Sequence, residues 1–228
     1  MRATAIIPVK RFGDAKQRLL DRLDRPQRAD LVKAMLRDVL VAVDAADSIE
    51  RVIVVTGEGR AERIALDRAK RSTTSLEVLR DPDDRGHSRA ATLGIVRALA
   101  LGAECSALLP GDCPLLDPAE LDGALGRMAA GRVAVIPDRH DTGTNGLLLA
   151  PADAIGPAFG EGSAERHRDR AGRAGYEVAT EALPSLALDL DTPADLTAIV
   201  AAIADQPGRA PSTAEALARL GPIAEAPA

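Results

Sequence analysis

The chain has 228 residues, 46% hydrophobic and only 1% aromatic, with no tryptophan and a formal net charge of -5. That suits one domain with an appendage and a core of Ala, Val, Leu and Ile. It offers no global basic field for nucleic acid, and no run of about 18 apolar residues to span a membrane. Its two cysteines, Cys105 and Cys113, flank one short apolar run. Neither a disulfide framework nor a zinc cluster is expected, and a reducing cytoplasm fits. The N-terminus enters an apolar run at once, with no signal-peptide h-region or cleavage site.

The run at 4–9 predicts a first strand, followed by a basic loop with Lys10, Arg11, Lys16 and Arg18. Residues 25–46 place Leu31, Met35, Leu36, Val39, Leu40 and Val43 at helical spacing, with Pro26 tolerated near the start. A strand at 51–56 and a Gly57/Gly59 turn lead into a charged helix at about 61–71. A weaker strand at 76–79, a loop at 81–86 and a helix at 88–101 follow. The strand at 105–109 stops at Pro110-Gly111, which leaves Asp112 just past its carboxyl end. Asp117 as N-cap and Pro118 at N1 open another helix. Strands at 132–137 and 147–150 surround a polar turn. A loop at 156–162 leads to a charged helix at 163–174, then strands at 176–180 and 186–190. Thr192-Pro193-Ala194-Asp195 has the form of a capping box opening a helix to about 202. From Asp205 on, Pro, Gly and Ala dominate, and only a short helix at 214–220 is expected on a loosely held tail. The organisation expected is one domain over 1–204 and a tail over 205–228. The alternation of strands and helices predicts an α/β fold, with a mostly parallel sheet and helices on both faces.

In such sheets ligands bind at the carboxyl ends of the strands. Asp112 sits at one such end, and Asp189 and Asp191 close the run Leu188-Asp189-Leu190-Asp191. Strand alternation would let only one of the latter two face Asp112, and Asp191 is the better placed. Two carboxylates from two strand ends make a hard-oxygen site suited to Mg2+, with Asp189 as a further ligand candidate. The plainer alternatives are a turn aspartate at 112, a helix cap at 191 and, for the basic loop, a solvated charge run. The loop matches neither Gly-x-x-x-x-Gly-Lys-Ser/Thr nor Gly-x-Gly-x-x-Gly, which disfavours P-loop hydrolysis and dinucleotide binding.

Several stretches together resemble one family. They are Ile6-Ile7-Pro8-Val9-Lys10 with Ala15-Lys16-Gln17-Arg18-Leu19, Pro110-Gly111-Asp112-Cys113-Pro114-Leu115, Thr142-Gly143-Thr144-Asn145, Phe159-Gly160-Glu161-Gly162-Ser163 and Asp189-Leu190-Asp191-Thr192-Pro193-Ala194-Asp195-Leu196. The chain resembles, over about 3–202, the 2-phospho-L-lactate guanylyltransferase family. Its actinobacterial members are the phosphoenolpyruvate guanylyltransferases of coenzyme F420 biosynthesis. The resemblance implies a Rossmann-like three-layer nucleotidyltransferase fold, of glycosyltransferase-A type, with a mixed sheet. It implies GMP transfer from GTP to phosphoenolpyruvate or 2-phospho-L-lactate, release of pyrophosphate, and a product passed to a downstream transferase. It implies Mg2+ on Asp112 and Asp191, and catalysis by these two with Lys16. It also implies nucleotide contacts from Val9, Lys10, Arg11, Lys16, Gly86 and Ser88, and acceptor contacts from Thr144, Gly160 and Ser163. Where family members commonly carry Gly-Leu-Asn, this chain reads Gly86-His87-Ser88. The smaller hydroxyl bears on base choice, and His87 is either a substitute contact or an exposed loop histidine. The rival readings are another nucleotidyltransferase of this fold, a metal-dependent glycosyltransferase, or a nucleotide-binding module without chemistry.

Overall fold

The computed structural model describes residues 1–14 and 16–220; Ala15 of the basic loop and the end of the tail, 221–228, lie outside the described residues. Its strands are β1 (Ala3–Val9), β2 (Ile49–Thr56), β3 (Ser75–Arg80), β4 (Ser106–Leu108), β5 (Arg132–Pro137), β6 (Thr144–Ala150) and β7 (Glu177–Thr180). Its helices are α1 (Arg25–Ala45), α2 (Gly59–Ala69), α3 (His87–Ala100), α4 (Pro118–Gly126), α5 (Ser163–Arg173), α6 (Pro193–Asp205) and α7 (Pro211–Leu220). The strands form one sheet in the order β3-β2-β1-β4-β6-β5-β7. β6 runs antiparallel to both β4 and β5, while the other pairs are parallel. The expected α/β fold with a mostly parallel mixed sheet is what forms.

β1 lies near the middle and is buried along its whole length, as a strand covered on both faces must be. Ala5, Ile7 and Val9 face one apolar layer with residues of α1, α2, α4, α6 and α7. Ile6 faces the other, with α3 and α5. Local signals set most helix starts. Asp24 and Gln27 form a capping box on α1, Asp117 caps α4, and Thr192 with Asp195 forms the predicted box on α6. No helix among the described residues is long and apolar enough to cross a membrane. Both cysteines are free and buried.

Two expectations are corrected. Residues 186–190 form no strand. The N–H groups of Leu186 and Ala187 close a turn on Leu183 O at 2.9 and 3.0 Å. Both edges of β4 are already taken, by β1 and β6, so no place in the sheet is open beside Asp112. The alternating apolar residues are instead knobs, with Leu186 and Leu190 buried in the core. The tail is also not loose over its helix. α7 packs on α1, and the buried Asp38 accepts from Ser212 N at 3.0 Å, Thr213 N at 2.7 Å and Thr213 Oγ1 at 2.7 Å. A carboxylate from another helix thus satisfies the open N–H groups at the start of α7.

Candidate active site

A cavity of about 950 Å³ opens beyond the carboxyl ends of β1 and β4. Its walls come from the basic loop, the start of α3, the 110–112 turn, the β5–β6 loop, the 159–163 turn and the stretch before α6. A cavity of this size lies at the upper end of small-molecule sites.

At its floor, Lys16 lies between two carboxylates. Its Nζ donates to Asp112 Oδ2 and, at 2.9 Å, to Asp191 Oδ1. The backbone of Lys16 is left-handed, with φ 58° and ψ 40°. That is a costly conformation for a lysine, typical of sites where the surroundings over-determine the geometry. Its side chain is 7% exposed, against 29% for Asp112 and 57% for Asp191. Burial works against the ammonium, but the two carboxylates outweigh it and raise the pKa above the ordinary lysine value. Burial likewise works against Asp112, yet Lys16 holds its carboxyl below the usual range.

Asp189 also lines the cavity, so the alternation expected of a strand does not turn it away. Burial, and then the Asp112 and Asp191 carboxylates, push its pKa up to about 6. Asn145 Nδ2 donates to Leu186 O at 2.8 Å and to Asp189 Oδ1 at 3.3 Å, and so ties the acidic stretch to β6. Two carboxylates thus flank one ammonium, and a third lines the cavity beside them; oxygen donors of this kind suit a hard divalent cation. Among the described residues, no three or more His, Cys, Asp or Glu are arranged as a ready-made metal cage.

Val9, Lys10, Gly86 and Ser88 line the cavity, but Arg11 does not turn into it. Its Nη2 donates to Pro82 O at 3.2 Å, its backbone N–H donates to Asp84 Oδ2 at 3.3 Å, and its Nε lies 3.7 Å from the same carboxylate. The acidic 81–84 loop, brought alongside by β2–β3 pairing, captures it first. Ser88 has a partner of its own, since its Oγ accepts from Phe159 N at 2.9 Å. His87 is half-buried in the cavity wall rather than an exposed loop residue. Its ring stands edge-on to Phe159 at 4.7 Å, and burial pushes its pKa down to about 4.

Two residues that sequence reasoning passed over shape these loops. Glu58 caps α2 and also accepts from Phe12 N at 3.1 Å, so it anchors the basic loop. Hydrogen bonds from Arg60 hold its pKa down to about 2. Asp138 accepts from the backbone N–H groups of His140, Thr142 and Gly143 at 3.0, 3.0 and 2.8 Å. These bonds outweigh burial and keep its carboxyl below the usual range. An Asp opening a polar, Gly-containing stretch is the local signal that could have exposed this role.

Thr144, Gly160 and Ser163 also line the cavity, around the turn into α5. Gly160 has φ 118° and Gly162 has φ 68°. These are backbone conformations that favour glycine, and they turn the chain into α5. The N–H groups of Ser163 and Ala164 are already committed, to Gly160 O at 3.0 Å and Thr142 O at 3.2 Å. Ser163 Oγ, by contrast, is buried without a hydrogen-bond partner. A buried hydroxyl without a partner, on a residue that lines the cavity, is a group whose hydrogen-bonding capacity is unspent. Glu161 is exposed but also lines the cavity, so its carboxylate is not turned wholly away from it.

His167 completes this corner. It is fully buried, and burial, aided by Arg170 and Arg166, pushes its pKa down to about 4. An unfolded histidine takes its proton near pH 6.5. The folded state therefore loses stability as pH falls from about 6.5, the loss is complete below about 4, and nothing changes above 6.5. The full penalty is about 3 kcal/mol. His87 contributes in the same direction over this window and Asp189 in the opposite one, so the check is the difference between proteins: relative to the unmutated protein, His167→Gln should lose less thermal stability as pH falls through the window. An equal slope in the variant would exclude this histidine as the cause.

The sequence matches the family described as Guanylyl transferase CofC like over residues 3–210. It is 43% identical over 215 residues to the phosphoenolpyruvate guanylyltransferase of Conexibacter woesei, spanning 93% of this chain and 94% of that one. It is 36% identical over 196 residues to the protein of the same name from Sphaerobacter thermophilus, spanning 86% and 91%. Among solved structures, a cytidylyltransferase from Leptospira borgpetersenii aligns with a TM-score of 0.61 at 14% identity, over 96% of this chain and 94% of that one. CMP:2-keto-3-deoxy-manno-octonic acid synthetase, complexed with CTP, aligns with a TM-score of 0.57 at 15% identity, over 90% and 100%. At these identities the structural likenesses speak to the fold alone.

Proposed function

The chain belongs to the Guanylyl transferase CofC like family, and from that premise we propose that it moves GMP from GTP onto the phosphate of phosphoenolpyruvate, releasing pyrophosphate. The observation that carries this reading is one cavity lined both by Lys16 with its carboxylates and by Thr144, Gly160 and Ser163. An acceptor with a phosphate and a carboxylate a few bonds apart offers one charged group to each set. 2-Phospho-L-lactate has the same two groups and is the second acceptor to test, and the downstream step would belong to coenzyme F420 assembly.

Asp112 and Asp191, with Asp189 beside them, would hold a magnesium ion, which when bound neutralises phosphate charge. An oxygen of the acceptor phosphate attacks the α-phosphorus of GTP. The new P–O bond forms as the bond to the bridging oxygen of the β-phosphate breaks, and pyrophosphate carries away the electron pair. The acceptor phosphate is already ionised at neutral pH, so no protein base is required. None of His87, His140 and His167 has the setting of a Ser-His-Asp arrangement. Lys16 offsets charge at the phosphates, Val9, Lys10, Gly86 and Ser88 form the nucleotide wall, and Thr144, Gly160 and Ser163 hold the acceptor carboxylate. Catalysis is positioning plus electrostatics.

The test is pyrophosphate release with each NTP against phosphoenolpyruvate, 2-phospho-L-lactate and a phosphate monoester without a carboxylate. Turnover should require GTP and a carboxylate-bearing acceptor. Ser163→Ala should raise the acceptor KM about ten- to a hundredfold, the worth of one hydrogen bond to a charged group. The KM for GTP should stay within about twofold. A rise in the GTP KM instead would move this corner to the nucleotide.

A further inference from the structure

We propose that His167 is a positioning residue of the acceptor corner, aiming the Thr144 hydroxyl into the cavity while holding the 158–160 backbone beside it. The inference rests on the functional reading above and deepens it. Ala158 N lies 2.8 Å from His167 Nε2. A backbone N–H can only donate, so Nε2 carries a lone pair and the ring is neutral. A neutral imidazole has one donor and one acceptor, which places the proton on Nδ1. Nδ1 lies 2.9 Å from Thr144 Oγ1, so Thr144 accepts this bond. Its own hydroxyl proton is then free to donate, and Thr144 lines the cavity. Ala158 N–H, His167 and Thr144 therefore form a relay whose donors all point the same way and strengthen one another. The end of that relay is an electropositive hydrogen beside Ser163, which suits a carboxylate.

The ring itself touches no substrate, because it is fully buried and both nitrogens are engaged. It works by joining two pieces of chain, the start of β6 and the turn that carries Gly160. Phe159 is wedged between His87 at 4.7 Å and His167 at 5.2 Å, and Ser88 holds Phe159 N from the other side. The short Ser88 hydroxyl thus reaches the acceptor turn. Nothing in the local sequence around His167 signals such a role, because its partners come from β6 and from a loop.

The test separates the two halves of the relay. Gln places an oxygen near the position of Nε2 and keeps the Ala158 bond, whereas Asn places its NH2 near Nδ1 and keeps the donor to Thr144. His167→Gln should raise the KM for phosphoenolpyruvate about tenfold, the effect of one lost hydrogen bond, with the GTP KM within about twofold. His167→Asn should lose less. In a double-mutant cycle with Thr144→Val, the His167→Gln effect should largely vanish. Multiplying effects, an unmoved acceptor KM in His167→Gln, or equal rises in both KM values would each overturn the inference. In the unmutated protein, nitrogen NMR should show the Nδ1–H tautomer at His167, with its proton signal moving on titration with phosphoenolpyruvate. An Nε2–H tautomer or an unmoved signal would overturn it without relying on any variant's folding. If the unmutated protein neither binds nor turns over phosphoenolpyruvate, the functional reading fails and takes this inference with it. Turnover with an unmoved KM in His167→Gln removes the inference alone.

Discussion

Asp112→Asn and Asp191→Asn are each expected to lower kcat about 10²–10³-fold, the size of a preorganised electrostatic contribution, with thermal midpoints shifted by only a few degrees. Both carboxylates hold Lys16 from opposite sides. Losing one leaves the ammonium with the other, and also relieves the repulsion that, after burial, raises the Asp189 pKa. Stability therefore changes little, while the divalent cation the mechanism needs loses one of its carboxylate ligands. Asp189→Asn should cost less, since Asp189 is held by Asn145 and sits at the edge of the ion pairs. Magnesium titration by calorimetry, beside steady-state rates, checks all three. A variant at 112 or 191 that keeps both normal metal affinity and normal kcat removes that residue from the site.

Gly94→Ala should destabilise the protein by about 1–3 kcal/mol, the usual cost of overpacking, although alanine is the better helix former by up to about 1 kcal/mol. A Cβ at Gly94 would stand 2.3 Å from Ile6 Cγ2 and 3.2 Å from Val55 Cγ2. Ile6 and Val55 are buried β-branched residues of β1 and β2 that have no free rotamer to retreat to. α3 must then lift from the sheet, and its first turn carries His87 and Ser88 into the cavity wall. Gly172 is the control. It is an exposed position of α5 with nothing within 4 Å of an added Cβ, so Gly172→Ala should raise stability by about 1 kcal/mol. Thermal midpoints moving in opposite directions would confirm the pair. A neutral or stabilising Gly94→Ala would show that α3 is less tightly seated than these distances state.

What the sequence by itself determined is what short-range chemistry decides. Strand and helix alternation, the caps at Asp117 and Thr192, the capping role of Asp195 and the burial of the apolar runs all follow from bonds within a few residues and from hydrophobic spacing. Asp112 was also legible as a cavity residue, because it follows a short apolar run that does form a strand of the sheet, whereas Asp191 was singled out from a strand that does not form and Lys16 from a basic loop. The tertiary structure alone decided which of these groups meet. Lys16 finds Asp112 across 96 positions and Asp191 across 175, and Asp38 docks α7 across 174. Such pairs depend on the strand order. That order also left no place for a strand at 186–190, so Asp189 and Asp191 both reach the cavity. Arg11 went to Asp84, Ser88 to Phe159 and His167 to Thr144 for the same reason. A buried or half-buried polar group takes the partner that three-dimensional packing brings within about 3 Å, and sequence distance has no bearing on that choice.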